Sequence, residues 1–316
     1  MDSSASRNTS LGTTSKSTAL PVAKTTAAAA SLLPPPEFPY AGIKDLLEKL
    51  SNVEGDTVTF RGVSDKDFNQ IYSAREKLGR KFRLSLYTSE SQLLLISIPT
   101  LKHERLHAQL NAHIERLLLK IQLEDELICT GKTDYRQLDH AGNRKAQGEG
   151  DASRKPISLR PEEDDFPTLV IEAGYTQTWP SLRNKARWWF TASNFDVKII
   201  LLIKMSLQSP DIDIEKWKAE KSTRPGMTTR AMAAQAQPVL SPVCVQTIAI
   251  TRAPGLSLND PRRFIPSSYR VTSGLLRLEF EDLFLRDPRP GEGDLILGTT
   301  ELQSFAASVW RSLPGR

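Results

Sequence analysis

Apolar positions along the chain mark out a series of elements that begins near Tyr40. Ile43, Leu46, Leu47 and Leu50 fall on one helical face. Thr57 to Arg61 alternates as a short strand. Ser64 stands where a helix N-cap belongs, ahead of Asp65 to Leu78 with Phe68, Ile71 and Leu78 as apolar marks. Phe82 to Tyr87 and Leu93 to Ile98 read as two strands around a polar turn, a hairpin. The strongest periodicity follows. Leu106, Leu110, Ile114, Leu117 and Ile121 recur every three or four residues and predict a helix over Leu101 to Leu123. Leu127 to Thr133 reads as a strand, followed by a loop with Gly142, Gly148 and Gly150. Asp151 to Leu159 is a short strand weakened by Pro156. After an acidic connector, Pro161 to Asp165, Thr168 to Ala173 is the central strand. Pro180 suits the first turn of a helix with Leu182, Ala186, Trp189, Phe190 and Ser193 on one face. Val197 to Lys204 is another buried strand. Further on, Val243 to Thr251 and Leu275 to Phe280 are strand-like, and Glu301 to Trp310 is a short helix. No internal repeat is visible.

This pattern divides the chain into a Ser/Thr/Ala/Pro-rich disordered tail over 1–39 and an α/β domain with a mixed central sheet over 40–218. A flexible linker over 219–242 and a C-terminal extension over 243–316, packing on the same domain, complete it. Hydrophobic content of 39% against 25% charged is low for a chain folded throughout, which fits such a tail. The tail lacks the compact apolar run of a secretory signal; its acid-poor composition leaves mitochondrial targeting open beside plain disorder. A net charge of +5 permits a nucleic-acid partner without requiring one. Cys129 and Cys244 form neither a disulfide framework nor a CxxC metal motif, which fits an intracellular compartment, nucleus or cytoplasm. No apolar run reaches the roughly 18 residues of a membrane span. The sequence does not indicate an oligomeric state.

The best chemical clue is Glu172, which closes the apolar run Leu169-Val170-Ile171. A carboxylate there is costly unless paired or holding a metal. Its bland reading is a pair with Arg183 or Arg187. Asp151 opens the preceding strand and could equally be a turn residue after Gly150. Lys185 reads as a solvated helix charge, Trp188 and Trp189 as core and surface aromatics. The basic residues of Lys216 to Arg230 read as a solvated linker, with a DNA-tracking arm as the sharper alternative.

The order helix, three strands, helix, strand from Leu101, with an Asp opening one strand and a Glu inside the next, resembles the PD-(D/E)XK, restriction-endonuclease-like superfamily. The segments GDASRKP, PTLVIEAGY, LRNKARWWF and DVKIILLIKM, with IPTLKHE at the long helix, are similar to a mainly fungal branch of it. The resemblance covers roughly Tyr40 to Lys218. It implies a metal-dependent nuclease in which Asp151 and Glu172 hold Mg²⁺ or Mn²⁺, with Glu104 as an outer acid. Such an ion polarises a phosphoryl oxygen and acidifies a bound water, and a nearby cation steadies developing charge. The motif's lysine position, two after Glu172, is Gly174, and Gly150 replaces the usual Pro before Asp151. Lys185 is the first substitute cation and Arg187 the second; Lys198 and Lys204 are further candidates. Loss of the strand lysine opens a second reading, a catalytically inactive binding or scaffold module.

A rival chemistry comes from His103-Glu104-Arg105-Leu106-His107, which matches the HExxH zinc-peptidase motif, with His113 nearby. Against it, His103 and His107 share a helix side with Leu110, Ile114 and Ile121, and Leu110 stands where the longer motif needs a glycine. Packed, hydrogen-bonded histidines are the expectation.

Overall fold

A computed structural model describes residues 36–131, 133–205, 211–222, 239–252 and 259–313. The N-terminal half builds one layer pair. Strands β1 (Glu37–Pro39) and β2 (Thr57–Arg61) alternate with helices α1 (Ile43–Asn52) and α2 (Asp65–Lys77). Ser64 begins α2 as expected. Its hydroxyl accepts from the Asp67 backbone N–H and the Asp67 carboxylate accepts from Ser64, a capping box. The hairpin forms as β3 (Arg83–Thr88) and β4 (Leu93–Ser97). The two helices cover this sheet through Leu46, Phe68 and Ile71, packed against Val58, Phe60, Tyr87 and Ile96.

The strongest periodic segment becomes α3 (Leu101–Ile121), capped by the Thr100 hydroxyl. Two strands follow where a glycine-bearing loop was expected. After β5 (Leu127–Cys129), β6 (Asp134–Leu138) and β7 (Arg144–Glu149) form a hairpin that joins the N-terminal sheet, giving six strands in the order β1-β2-β4-β3-β7-β6. Their residues are mostly polar or glycine even where buried, as at Gln147, Gly148 and Glu149, so the period-two signal is faint. Gly148 lies where a Cβ would come within 2.5 Å of the Trp188 ring; the glycine marks close packing here, not a loop.

The remaining strands build a second, seven-stranded sheet in the order β13-β12-β11-β10-β9-β8-β5. These are β8 (Ala152–Pro156), β9 (Leu169–Gly174), β10 (Ile199–Met205), β11 (Ile212–Ser222), β12 (Val239–Arg252) and β13 (Tyr269–Thr272). β9 and β10 run parallel and the other neighbours antiparallel, so the sheet is mixed. Helix α4 (Trp179–Ala192) connects β9 to β10. Side chains alternate along β9. Leu169, Ile171 and Ala173 pack with Leu106, Leu110 and Ile114 of α3, while Val170 packs with Leu182, Ala186 and Trp189 of α4. The C-terminal segment adds α5 (Phe280–Phe284), the small pair β14 (Leu276–Leu278) and β15 (Leu295–Leu297), and α6 (Thr299–Arg311). Leu302, Phe305 and Val309 of α6 enter the α3 side of the core.

Two expected boundaries need correction. Residues 219–222 and 239–242 are strand, paired as Ala219–Pro242 to Ser222–Val239, so the linker reading fails at both ends; 223–238 lie outside the described residues. Glu37 to Pro39 pairs in parallel with β2, so these three residues belong to the sheet and not to the tail; 1–35 lie outside the described residues. Among the described residues, no helix is long and apolar enough to cross a membrane.

Candidate functional site

Strand register assembles the site. β8 and β9 are antiparallel with Ala152 opposite Ile171, so one step further Asp151 stands opposite Glu172. Opposed residues of an antiparallel pair share a face, and for Glu172 that is the α4 face, with Val170. The two acids thus stand opposite each other on adjacent strands, both fully buried at their side chains.

Lys185 and Trp189, one turn apart on α4, both reach Glu172. The Lys185 ammonium donates to Oε2 and the Trp189 indole N–H donates to Oε1 at 2.7 Å. Lys185 is only 1% exposed, so the reading of it as a solvated charge is overturned. The expected arginine partners of Glu172 are elsewhere. Arg183 binds Glu215, with Nε at 3.1 and 3.2 Å from its oxygens. Arg187 is exposed, donates to Asn184 at 3.1 Å and lies over the Trp217 ring, so it takes no part in the cluster. Lys198 and Lys204 donate to backbone carbonyls of Phe195, Tyr175 and Gln177, away from the acids. Gly174 explains why the cation comes from the helix. A Cβ at that position would lie 2.9 Å from Leu182 Cδ1 and 3.3 Å from the Gln177 Cβ, because α4 crosses β9 closely there.

Asp151 has its own set of donors, which replaces the turn-residue reading. Oδ1 accepts from Arg83 Nη1 at 2.7 Å and faces His103 Nε2 at 2.9 Å; Oδ2 accepts from the Ala173 backbone N–H at 2.7 Å. Arg83 also reaches Glu104 at 3.0 Å and stands 3.9 Å from Glu149. A guanidinium therefore occupies the point where three carboxylates converge. His103 bridges Asp151 to Asp56, whose Oδ2 lies 3.2 Å from Nδ1. Asp56 in turn accepts from the backbone N–H groups of Tyr175, Thr176 and Gln177 at 2.8, 3.0 and 3.2 Å and from the Thr176 hydroxyl. Glu149 pairs with Arg75, itself 3.5 Å from Asp134.

Electrostatics follow from this packing. Burial opposes charge on His103, but the Asp151 and Asp56 carboxylates outweigh it and raise its pKa to about 10, so both ring nitrogens carry protons. Burial likewise acts to raise Asp151 and Asp56, yet the His103 charge and hydrogen bonds hold both below the usual carboxylate range; Lys185 and Arg83 add to the effect at Asp151. Burial and the charge of Asp151 push Glu172 up to about 7 against the pull of Lys185. Burial is opposed at Lys185 by the charges of Glu172 and Asp151, which keep its ammonium protonated. Burial raises Glu149 to about 7, and Arg75 only partly offsets it.

The donor set decides what the cluster can hold. A hard divalent ion needs free carboxylate oxygens. At Asp151 and Glu172 every oxygen already accepts from a protein donor, and the cationic place beside Asp151 and Glu104 is filled by Arg83. As arranged, these residues do not fit Mg²⁺ or Mn²⁺. His103, Glu104 and His107 bring one ligand atom each within 4.8 Å of one another, a spacing that could take a metal ion. Zinc, however, binds the neutral imidazole, and both His103 nitrogens are engaged with carboxylates. His107 Nε2 lies 3.4 Å from Glu104. His113 points away, edge-on to Phe305. All three histidines are buried, as the apolar face of the helix implied, but among the described residues only His103 is hydrogen-bonded through its ring; His107 Nε2 has no hydrogen-bond partner there.

Arg83, Asp56, Glu149 and Arg75 were not singled out in the sequence. Arg83 carried a signal of the kind that marked Glu172, a charge inside the apolar run Phe82-Arg83-Leu84. Asp56 carried none, since the partners that tie it to the site lie 47 to 121 residues away. No family model matches this chain, and no curated protein does.

Proposed function

We propose that this chain is a PD-(D/E)XK-like module whose acid centre works as an internal salt-bridge lattice, and that it serves in binding or scaffolding without metal-dependent hydrolysis. The architectural part rests on element order. α3, β5, β8, β9, α4 and β10 run in the series helix, three strands, helix, strand, with the β6–β7 hairpin inserted. The functional part rests on one observation: all four oxygens of Asp151 and Glu172 accept from protein donors, while Arg83 takes the cationic position. Evicting Arg83 to admit an ion would leave a buried guanidinium unpaired, a cost of several kcal/mol by general experience, roughly 3–5.

A second reading, metal-dependent nuclease, is favoured by a different observation. Asp151 opposite Glu172, with Lys185 delivered by α4, is the acid, acid and lysine set that phosphodiester hydrolysis uses, although Gly174 stands at the motif position. Incubating the purified full chain with single- and double-stranded DNA and RNA in Mg²⁺ or Mn²⁺ separates the two. The first reading expects no cleavage above that of Asp151→Asn. Cleavage that disappears in Asp151→Asn establishes the second.

A further inference from the structure

A second polar site lies outside the acid cluster. Between α2 and the β6–β7 hairpin is a cavity of about 220 Å³ lined by Asn69, Tyr72, Arg136, Arg144 and Gln147, with Leu138 and Gly142 at its rim. Its chemistry is one-sided. Arg144 is half-buried over the rings of Phe68 and Tyr87; burial chiefly, and in smaller part the charge of Arg136, disfavour charge on it against the pull of Asp65. Two like charges facing one cavity are unfavourable without an anion between them. The acids nearby meet this only in part. Asp134 is engaged by the Tyr72 hydroxyl at 3.0 Å and by Arg75 at 3.5 Å, while Asp65 pairs with Arg144 Nε at 3.9 Å and Asn69 Oδ1 accepts from Arg144 Nη2. Arg136 makes no ion pair among the described residues. At the cavity wall Gln147 is 1% exposed; its Oε1 accepts from Arg144 Nη1 at 3.2 Å, which leaves the Nε2 amide without a partner. A buried N–H₂ with nothing to donate to costs free energy, on the order of 1–3 kcal/mol, unless an acceptor visits.

We propose that this cavity binds a phosphate group, with Arg136 and Arg144 supplying charge and Gln147 Nε2 a directed hydrogen bond. Paired guanidinium groups with a neutral donor match an oxyanion's several acceptor oxygens. The space, equal to roughly seven waters, exceeds a bare phosphate and leaves room for an attached sugar. This inference goes beyond the scaffold reading and stands without it, since none of these residues touches Asp151 or Glu172.

The test is calorimetric titration of the full chain with inorganic phosphate, with a nucleoside monophosphate and with a short single-stranded oligonucleotide, each at fixed ionic strength. The probe variants are Arg136→Ala, at an exposed position, and Gln147→Glu, which keeps the shape and the acceptor for Arg144 but replaces the donor with a negative charge. Thermal melts confirm folding of both. The site predicts saturable binding of at least one probe, weakened about tenfold by each variant. Binding of phosphate or mononucleotide identifies a free-ligand site, and binding of the oligonucleotide alone a site for nucleic-acid backbone. No saturable binding of any probe, or binding unchanged in both variants, overturns it.

Discussion

Glu172 is costly to bury, and its two partners decide whether that cost is met. Removing one member of a buried pair strands the other charge, whereas removing both leaves little to desolvate. Lys185→Met should therefore lose about 3–5 kcal/mol of stability, with Glu172 held at zero exposure and facing only Trp189. The double variant Glu172→Gln/Lys185→Met should recover most of that loss, because glutamine still offers Trp189 an acceptor. Urea denaturation of the two variants checks this, and equal losses would mean the pair is not a unit. His103 gives a pH signature. Its folded pKa of about 10 lies above the unfolded 6.5, so its stabilisation is complete below pH 6.5 and is lost as pH rises through about 10. The stability gap between wild type and His103→Gln should accordingly be widest near pH 6 and shrink steadily towards pH 10. A gap independent of pH would show that the imidazole is neutral.

At the level of elements, the crossing of α4 over β9 fixes where chemistry can be placed. Gly174 sits under Leu182, so Gly174→Ala should cost about 1–3 kcal/mol through overpacking, measurable as a lowered denaturation midpoint. A full-stability Gly174→Lys variant would contradict the close approach. The elements that the sequence made legible were those with a strong period: α3, α4, β9, β10 and the β3–β4 hairpin all carry several apolar residues at regular spacing. β6, β7 and the strand extensions of β11 and β12 were not legible, because their polar residues and glycines are explained only by partners distant in sequence. The candidate site divides in the same way. Asp151 and Glu172 stood out as acids bordering apolar strands, and Lys185 was reached as a substitute cation. Arg83, Asp56 and Glu149 meet them only once the two sheets are brought together, and nothing local announces that.

Across the whole molecule, the charged lattice is the polar part of the seam between the two sheets; the apolar part packs Leu86, Tyr135 and Ala146 of the first against Trp188 and Trp189. Asp56 precedes β2 of the first sheet and receives the Tyr175–Gln177 backbone that follows β9 of the second; Arg83 of β3 does the same for Asp151. Cutting the polar part should loosen the coupling between the halves. In Asp56→Ala, the transitions followed by far-UV circular dichroism and by tryptophan fluorescence should no longer coincide, because Trp179, Trp217 and Trp310 sit in the second half while Trp188 and Trp189 lie at the seam; wild type should lose both signals together. The most direct test of charge balance at the seam is Mn²⁺ titration of the full chain followed by electron paramagnetic resonance. Balance by Arg83, His103 and Lys185 predicts a free-ion signal as strong as that of Asp151→Asn at every concentration. Uptake of one Mn²⁺ per chain, abolished by Asp151→Asn, would contradict it.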